Sequence, residues 1–566
     1  QGTLMKPIIL FILILTGCSF NPSVSSDNGD SGDESDSTPD AGPPPTAEVR
    51  FVSVTPDVSE LRPGQYGIEV TAVLTNELAV PITEVAVSLS FEDRDGSRSG
   101  DFYWRDFDRR EGMMDVQPTE VAAGGEATFR FKVDALASLA GSGTVEIHAV
   151  ASFMVEDTER SATRLDPPQS LELDLPNEPI VVNNPADEED DDDQISLREA
   201  LQQALETPGL DRIVFDPSVF PPGGDQGTVL NTDLGELPTL DDEGGADIVI
   251  DGSGAGFYLA LDDSWEESDG RYGLRIDGGN VVIHGIEFRN MGYNYEYQAS
   301  VETNNCGNGD VRQGGAIWVD KGTLIVDSNT FIDPDVAERN CYAASIRLEG
   351  GSGHRILRNR WTDTSMDSLF IDTRMIEVSD NIMDAGSDPD KTDECIYVNS
   401  QGGEDLWITG NLCVDQEYSG VIARGDNNGT LYVVNNTFVR NGLEGLSAVR
   451  REQNLRPVIL RNNVYVSNNP AAINPGNNGI SFDIAYEAVV ASEVCQSCIE
   501  ATLDSDSILN PTDLRLNNPE GTTPDDLTPS VDSPLVDSAI DWLDRNGRSP
   551  GRYSGQGPER GAVERP

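Results

Sequence analysis

From about residue 247 onward the chain repeats itself, and no other feature restricts its fold as much. Six segments share apolar residues, a polar turn ending in Asn, and a further large residue two places on. They are Leu324-Ile-Val-Asp-Ser-Asn329-Thr-Phe331, Ile356-Leu-Arg-Asn359-Arg-Trp361, Ile376-Glu-Val-Ser-Asp-Asn381-Ile-Met383, Leu406-Trp-Ile-Thr-Gly-Asn411-Leu-Cys413, Leu431-Tyr-Val-Val-Asn-Asn436-Thr-Phe438 and Val458-Ile-Leu-Arg-Asn-Asn463-Val-Tyr465. The asparagines are 30, 22, 30, 25 and 27 residues apart. Val281-Val-Ile-His-Gly-Ile286-Glu-Phe288 reads as an earlier copy with Ile in place of Asn. Another short strand precedes each copy, as at Ala316 to Val319 and Ser345 to Leu348. A strand, a turn and a strand at this period make one coil of a parallel β-solenoid.

The inside of such a tube is packed, so inward positions must be apolar, and the residue two after each Asn meets that demand. Asn tolerates the bend, and stacked amides can hydrogen-bond from coil to coil. Positions between, such as Thr437, are expected to face solvent. Regular leucines of a horseshoe and the hairpin-rich units of a propeller are both missing.

Before the repeat, residues 47–175 alternate apolar and polar residues at Ile68 to Leu74, Val85 to Phe91, Phe129 to Val133 and Val145 to Ala149, with turn residues such as Ala123-Gly-Gly-Glu126 between. That pattern predicts an immunoglobulin-like β-sandwich. His148 is expected to lie exposed between inward neighbours. Residues 176–195 read as an acidic linker ending in the solvated run Asp190 to Asp193. Ser196-Leu-Arg-Glu199 is a capping box, and Leu197, Ala200, Leu201, Ala204 and Leu205 share one helical face. The β-helix is expected over 196–500, with 501–566 as a closing segment.

Charge restricts the partners. Asp plus Glu number 99 against 38 Lys plus Arg, a net charge of −61, and such a field repels phosphate backbones, which excludes nucleic acid. The three histidines, His148, His284 and His354, are far apart, which argues against a His-rich metal centre and Ser–His–Asp chemistry.

Met5-Lys6 precede the apolar run Ile8 to Leu15 and then Leu15-Thr-Gly-Cys18. The run is too short to span a bilayer but suits a signal peptide, and its end resembles the bacterial lipobox. Residues 1–18 are therefore expected to be a lipoprotein signal ending at an acylated Cys18, the only membrane anchor. Ser19 lacks the Asp known for inner-membrane retention, which points to the outer membrane. Residues 19–46, rich in Ser, Asp, Gly and Pro, are expected to form a disordered tether. Six cysteines remain, an even number that fits disulfides in an exported protein. Sequence order suggests Cys306–Cys341, Cys395–Cys413 and Cys495–Cys498.

Residues 181–566 resemble the right-handed parallel β-helix proteins of bacterial surfaces, a pectate-lyase-like fold. The resemblance rests on Val181-Val-Asn with its acidic stretch, Ser196-Leu-Arg-Glu-Ala200, Asp211-Arg-Ile-Val-Phe215, Asp532-Ser-Pro-Leu-Val-Asp537, Gly547-Arg548 and Glu559-Arg-Gly-Ala-Val-Glu564. Ile195 stands where relatives often carry Cys. The resemblance implies that the helix from Ser196 caps the tube's open edge. It implies no particular reaction, since such solenoids include lyases, hydrolases and adhesins. The preceding module is similar to adhesion-type sandwiches, notably at Val73-Leu-Thr-Asn76.

Aligning the strands before each Asn copy sets Leu274/Ile276, Ile317/Val319, Ile346/Leu348, Leu369/Ile371 and Ile396/Val398 inward. Arg275, Trp318, Arg347, Phe370, Tyr397 and Ile422 then point outward, one per coil. Beside them run Asp277, Asp320, Glu349, Asp372, Asn399 and Arg424, with rungs ~4.8 Å apart. Trp318, Arg347, Phe370 and Tyr397 are thus the expected contacts for a polysaccharide or another cell-surface component, or a layer under a loop. Asp320, Glu349 and Asp372 are a possible calcium set, relieved otherwise by an intercalated Arg or a retained proton. No cofactor is certain.

An enzyme is the competing class. Glu349 with Asp372 could approach the ~5–5.5 Å of retaining glycosidases and Asp320 with Asp372 the ~6.5–9.5 Å of inverting ones. Arg347 or Tyr397 could serve a lyase. Pectin-hydrolase solenoids carry Asn-Thr-Asp, paired Asp, His-Gly and Arg-x-Lys; only His284-Gly285 is present, in an early coil. The sequence favours a surface lipoprotein that binds rather than cleaves.

Overall fold

The computed structural model describes the chain from Glu48 to Asn474 except for loop segments, the longest being 262–271, 292–314, 333–343, 387–393 and 442–448. Beyond Asn474 it describes short strands between Phe482 and Leu509, with Leu516, Ser533 and Leu535 among the positions that follow. Cys18, the signal run and the tether lie outside the described residues, as do Cys306, Cys341, Cys498 and the side chain of Cys495.

The alternating segments form two packed antiparallel sheets. One holds Val49–Pro56, Ile68–Asn76, Glu126–Ala135 and Phe102–Asp106 in that order. The other is built on Thr144–Val155 beside Ile82–Asp93 and Gln169–Leu173. Phe51, Val70, Leu74, Phe91, Phe129, Phe131 and Ile147 fill the space between them. His148, expected in solvent, is buried, with its Nε2 3.5 Å from a Glu146 carboxylate oxygen. Glu92 of the paired strand Ile82–Asp93 also approaches its Nε2, at 3.7 Å.

The repeats form a parallel β-helix with three faces per coil. First-face strands include Ala344–Leu348, Asp367–Ile371, Ile396–Val398 and Val421–Ala423; second-face strands include His354–Leu357, Ile376–Ser379, Leu406–Thr409 and Leu431–Val434. Tyr272–His284 and Gly315–Asp327 run through both faces. The third face is an 11-stranded parallel sheet from Gln226–Leu230 to Ile508–Leu509. Its inward column stacks Phe288 on Phe331 at 5.0 Å, Phe331 on Trp361 at 4.7 Å and Phe438 on Tyr465 at 5.4 Å.

The stretch expected as a linker already belongs to the tube. Ile180–Val182 pairs in parallel with Ile213–Phe215, and Asp187 is buried. The reason is Arg198, which lies buried and meets both Asp187 carboxylate oxygens at 2.8 Å. It also donates to the carbonyls of Glu236 and Gly235, so burying this charge leaves it fully paired. The capping box forms as expected, with Glu199 N–H on Ser196 Oγ and Ser196 N–H on Glu199 Oε2. The helix Leu197–Glu206 buries Leu197, Ala200, Leu201 and Ala204 against the first coils and covers the open end of the core.

The coils are joined through their corners. From the coil of Tyr272–His284 onward two residues separate the second and third faces, as from Asp327 to Thr330, Leu357 to Arg360, Ser379 to Ile382 and Thr409 to Leu412. The first of the two has positive φ: Ser328, Arg358, Asp380, Gly410, Asn435 and Asn462. The second is the repeated Asn, buried in each of the six coils from Asn329 to Asn463. The side-chain oxygens of Asn359, Asn381, Asn411, Asn436 and Asn463 accept the backbone N–H of the preceding Asn at 2.9–3.1 Å. Their amide nitrogens donate to carbonyls of the previous coil, as Asn411 does to Val378 at 2.9 Å. A second ladder follows five residues later, where Gln416 N–H meets Asn441 Oδ1 and Asn441 N–H meets Asn468 Oδ1.

Cys395 and Cys413 are bonded, as sequence order suggests, with 6.1 Å between Cα atoms. Both are buried, so the bond crosses the tube interior from first to third face. Outward third-face residues near the carboxyl-terminal end are apolar: Leu412, Val414, Val439, Val464 and Val466. Leu535 and Leu516 of the closing segment pack on them. Thr437, expected in solvent, is buried on that covered face.

Candidate functional site

The expected first-face register holds. Arg275, Trp318, Arg347, Phe370, Tyr397 and Ile422 follow one another in outward positions. Their conformation differs from a sugar-binding platform. Flat side chains in adjacent rungs stack along the tube axis, because that is where the next ring lies. Phe370 and Tyr397 are 5.1 Å apart and inclined by 15°. Arg347 sits 4.2 Å from the centre of the Phe370 ring, Arg424 5.2 Å from that of Tyr397 and Arg275 4.3 Å from that of Trp318. Ring faces are therefore spent on neighbours. Arg347, Phe370 and Tyr397 are buried, while Trp318 stays half-buried.

The polar row beside the stack is partly exposed. Glu349, Asp372, Asn399 and Arg424 follow rung by rung, each N–H donating to the carbonyl of the previous coil's last inward residue. The alignment slips by one at the start of the row. Asp277 lies opposite Lys321, not Asp320, and its Oδ1 is 2.6 Å from Lys321 Nζ. Glu349 accepts from Arg347 Nε at 2.7 Å and from Trp318 Nε1 at 3.2 Å. Asp372 accepts from Asn399 Nδ2 at 3.4 Å. Burial pushes the Asp372 carboxyl above its ordinary range, and the Glu349 charge adds to this; the Asn399 hydrogen bond and Arg347 oppose it. The carboxylate column is thus relieved by an intercalated arginine and an amide. Glu349 is held by Arg347 and Trp318 and Asp372 by Asn399, so neither of these two expected calcium ligands lacks a protein partner. Among the described residues no three His, Cys, Asp or Glu side chains gather as a metal site.

Two residues that the sequence reading overlooked lie next to the stack. Asp367 begins a first-face strand and is wholly buried; its Oδ1 accepts the Glu394 backbone N–H at 3.0 Å, and the two side chains are hydrogen-bonded. Burial raises the Asp367 carboxyl to about 6, against the hydrogen bonds from Glu394 and the charges of Arg347 and Arg424. A carboxyl–carboxyl hydrogen bond needs one shared proton, and a buried pair retains it more easily than an exposed one. Burial likewise pushes the Tyr397 hydroxyl up to about 12, while Arg424, which binds its oxygen, opposes the shift. No periodicity marks Asp367 or Glu394, because their meeting depends on how two unequal corners fold back.

The first face is bordered by both kinds of variable corner. Connections into it run from Arg289 to Gly315, Ile332 to Ala344, Thr362 to Asp367 and Asp384 to Ile396. Connections out of it run from Leu348 to His354, Ile371 to Ile376 and Val398 to Leu406. Two cavities lie elsewhere, one of about 200 Å³ by Tyr258 and Arg289 and one of about 590 Å³ where sandwich meets solenoid. Among the described residues the first face presents a surface row.

No protein-family model matches the chain, and no curated protein does. Among solved structures it is similar to the cupredoxin domain of amoB from Nitrosocaldus yellowstonii, at 15% identity over 22% of this chain and 86% of that one, with a TM-score of 0.15.

Proposed function

We propose that the protein is a lipid-anchored cell-envelope protein, on the outer membrane, whose first solenoid face binds an extended polysaccharide. One observation carries the reading: Glu349, Asp372, Asn399 and Arg424 repeat hydrogen-bonding groups on consecutive coils, partly exposed and flanked by corners of changing length. A polymer with hydroxyl groups at regular intervals matches such a row, and loops on a rigid scaffold are the usual place for recognition. Trp318 supplies a half-exposed ring, while Arg347, Phe370 and Tyr397 hold the row from beneath.

A polysaccharide hydrolase or lyase on this face is the second reading, favoured by the buried carboxyl of Asp367, which accepts the Glu394 N–H and lies beside Arg424. Affinity electrophoresis against a panel of neutral and acidic polysaccharides, with reducing-end and unsaturated-uronate assays alongside, separates the two. Binding without product supports the first reading, and product supports the second. The variant Asp372→Asn is expected to bind about fivefold more weakly with unchanged melting. Wild-type affinity in that variant sinks the placement on this face.

The anchor rests on Leu15-Thr-Gly-Cys18. Cys18→Ser is expected to accumulate as a non-acylated precursor, since the acyl chain is carried by the thiol. A lipid mass and detergent partitioning identical to the parent's would refute the anchor.

A further inference from the structure

The solenoid's second face carries residues that a solvent-facing column would not be expected to hold. Val249 and Val282 stand in neighbouring rungs, outward and almost fully buried, with Leu210 and Ile325 packed against them. In the next rungs the same column turns charged, at Arg355 and Glu377. The sandwich covers the change. A Cβ on Gly64, which has a positive φ of 69°, would lie 2.9 Å from both methyl carbons of Val282, so only glycine lets the loop approach this closely.

At the charged end the two domains are pinned together. Arg355 lies 3.9 Å from Asp134 of the sandwich and 3.8 Å from Glu377 of the solenoid. Asp134 is fully buried and also accepts the Gly67 N–H at 2.7 Å. At the other end the domains diverge around the cleft of about 590 Å³. That volume falls within the usual range for small-molecule sites, which favour domain junctions.

The cleft has a definite chemistry. Its floor is the apolar set Leu210, Val249, Val282 and Ile325, and its walls carry Asp57, Glu60 and Asp247 against the single cation Arg62. Arg62 leans on Asp247 at 3.6 Å, while Asp57 and Glu60 are exposed at the mouth. The Asp57 carboxylate also accepts the Glu69 N–H at 2.8 Å, which fixes its position. We propose that this junction binds a small amphipathic cation, an apolar body ending in an amine or guanidinium. The body would cover Leu210 and Ile325, the partly exposed part of that floor, and the charged end would meet Asp57 and Glu60. Anions of the same shape are opposed by three carboxylates and by the chain's net charge of −61.

The test uses the full chain and hexylammonium as probe, with hexanol and hexanoate as comparators, in calorimetric titration at low salt. Hexylammonium is expected to bind at least about tenfold more tightly than hexanol, and hexanoate to give no saturable heat. Asp57→Asn/Glu60→Gln, both at exposed positions, should lower hexylammonium affinity towards that of hexanol without moving the melting temperature. Ile325→Gln should weaken hexylammonium and hexanol together. Equal affinities for the three probes, no saturable binding of hexylammonium, or an unchanged affinity in the double carboxylate variant would each overturn the proposal. Polysaccharide binding at the first face is read in a separate assay and stands or falls independently.

Discussion

Phe438→Asp is expected to lower the melting temperature by on the order of 10 °C, the largest effect of any single side-chain change considered. Phe438 is fully buried on the inward side of the third face and stacks on Tyr465 at 5.4 Å. The substitution removes a packed ring, at about 3–5 kcal/mol, and introduces a carboxylate where the core offers only apolar neighbours. The control is Arg360→Asp, at an exposed position on the same face. Thr437 would be a poor control because it is buried. Thermal unfolding of the two variants, monitored by circular dichroism, makes the comparison. Similar shifts would mean that the inward column is wrongly assigned.

Asn411→Leu keeps the branched side-chain skeleton but replaces its polar atoms with larger methyl groups, and should cost about 3–6 kcal/mol, because several buried polar groups lose partners at once. Asn381 loses the acceptor of its backbone N–H and of its own amide, at 3.1 and 2.9 Å. Val378 and Thr409 lose the amide that donates to their carbonyls. Asn436 loses the amide donor that reaches its Oδ1 at 3.0 Å. The damage is local, so hydrogen exchange is the decisive readout: the amide of Asn381 should lose protection ahead of those in distant coils. Unchanged protection there would show that the ladder contributes nothing beyond filling space.

The solenoid was legible because its physics is periodic. A buried Asn recurs at a bend, a large apolar residue follows two places later, and both signals survive without any knowledge of three-dimensional contacts. The second ladder was equally visible, with Gln416, Asn441 and Asn468 each five residues after a recognised Asn, but amide spacing was followed at one corner only. What the sequence hides is anything that depends on coils meeting across unequal loops. Alternation told which way Phe370 and Tyr397 point, not that stacking would turn their faces along the axis. Asp367 and Glu394 carry no pattern that anticipates their pairing. Burial on an outward face, as at Val282 or Thr437, comes from a distant segment that folds over it and leaves no periodic trace.

The three corners of each coil tolerate insertion very differently. At the corner between second and third faces, two residues are held by a left-handed bend and by an amide wedged between coils. One extra residue there would invert every side chain that follows in the strand and displace the Asn from its partners. The two corners around the first face have no such fixed length, and the connections there already range from a few residues to more than twenty. Lineages or designers can therefore lengthen those loops one coil at a time and alter the surface that borders the first face. The tight corner keeps the tube in register while they do so, so new specificity can arise without re-solving the fold.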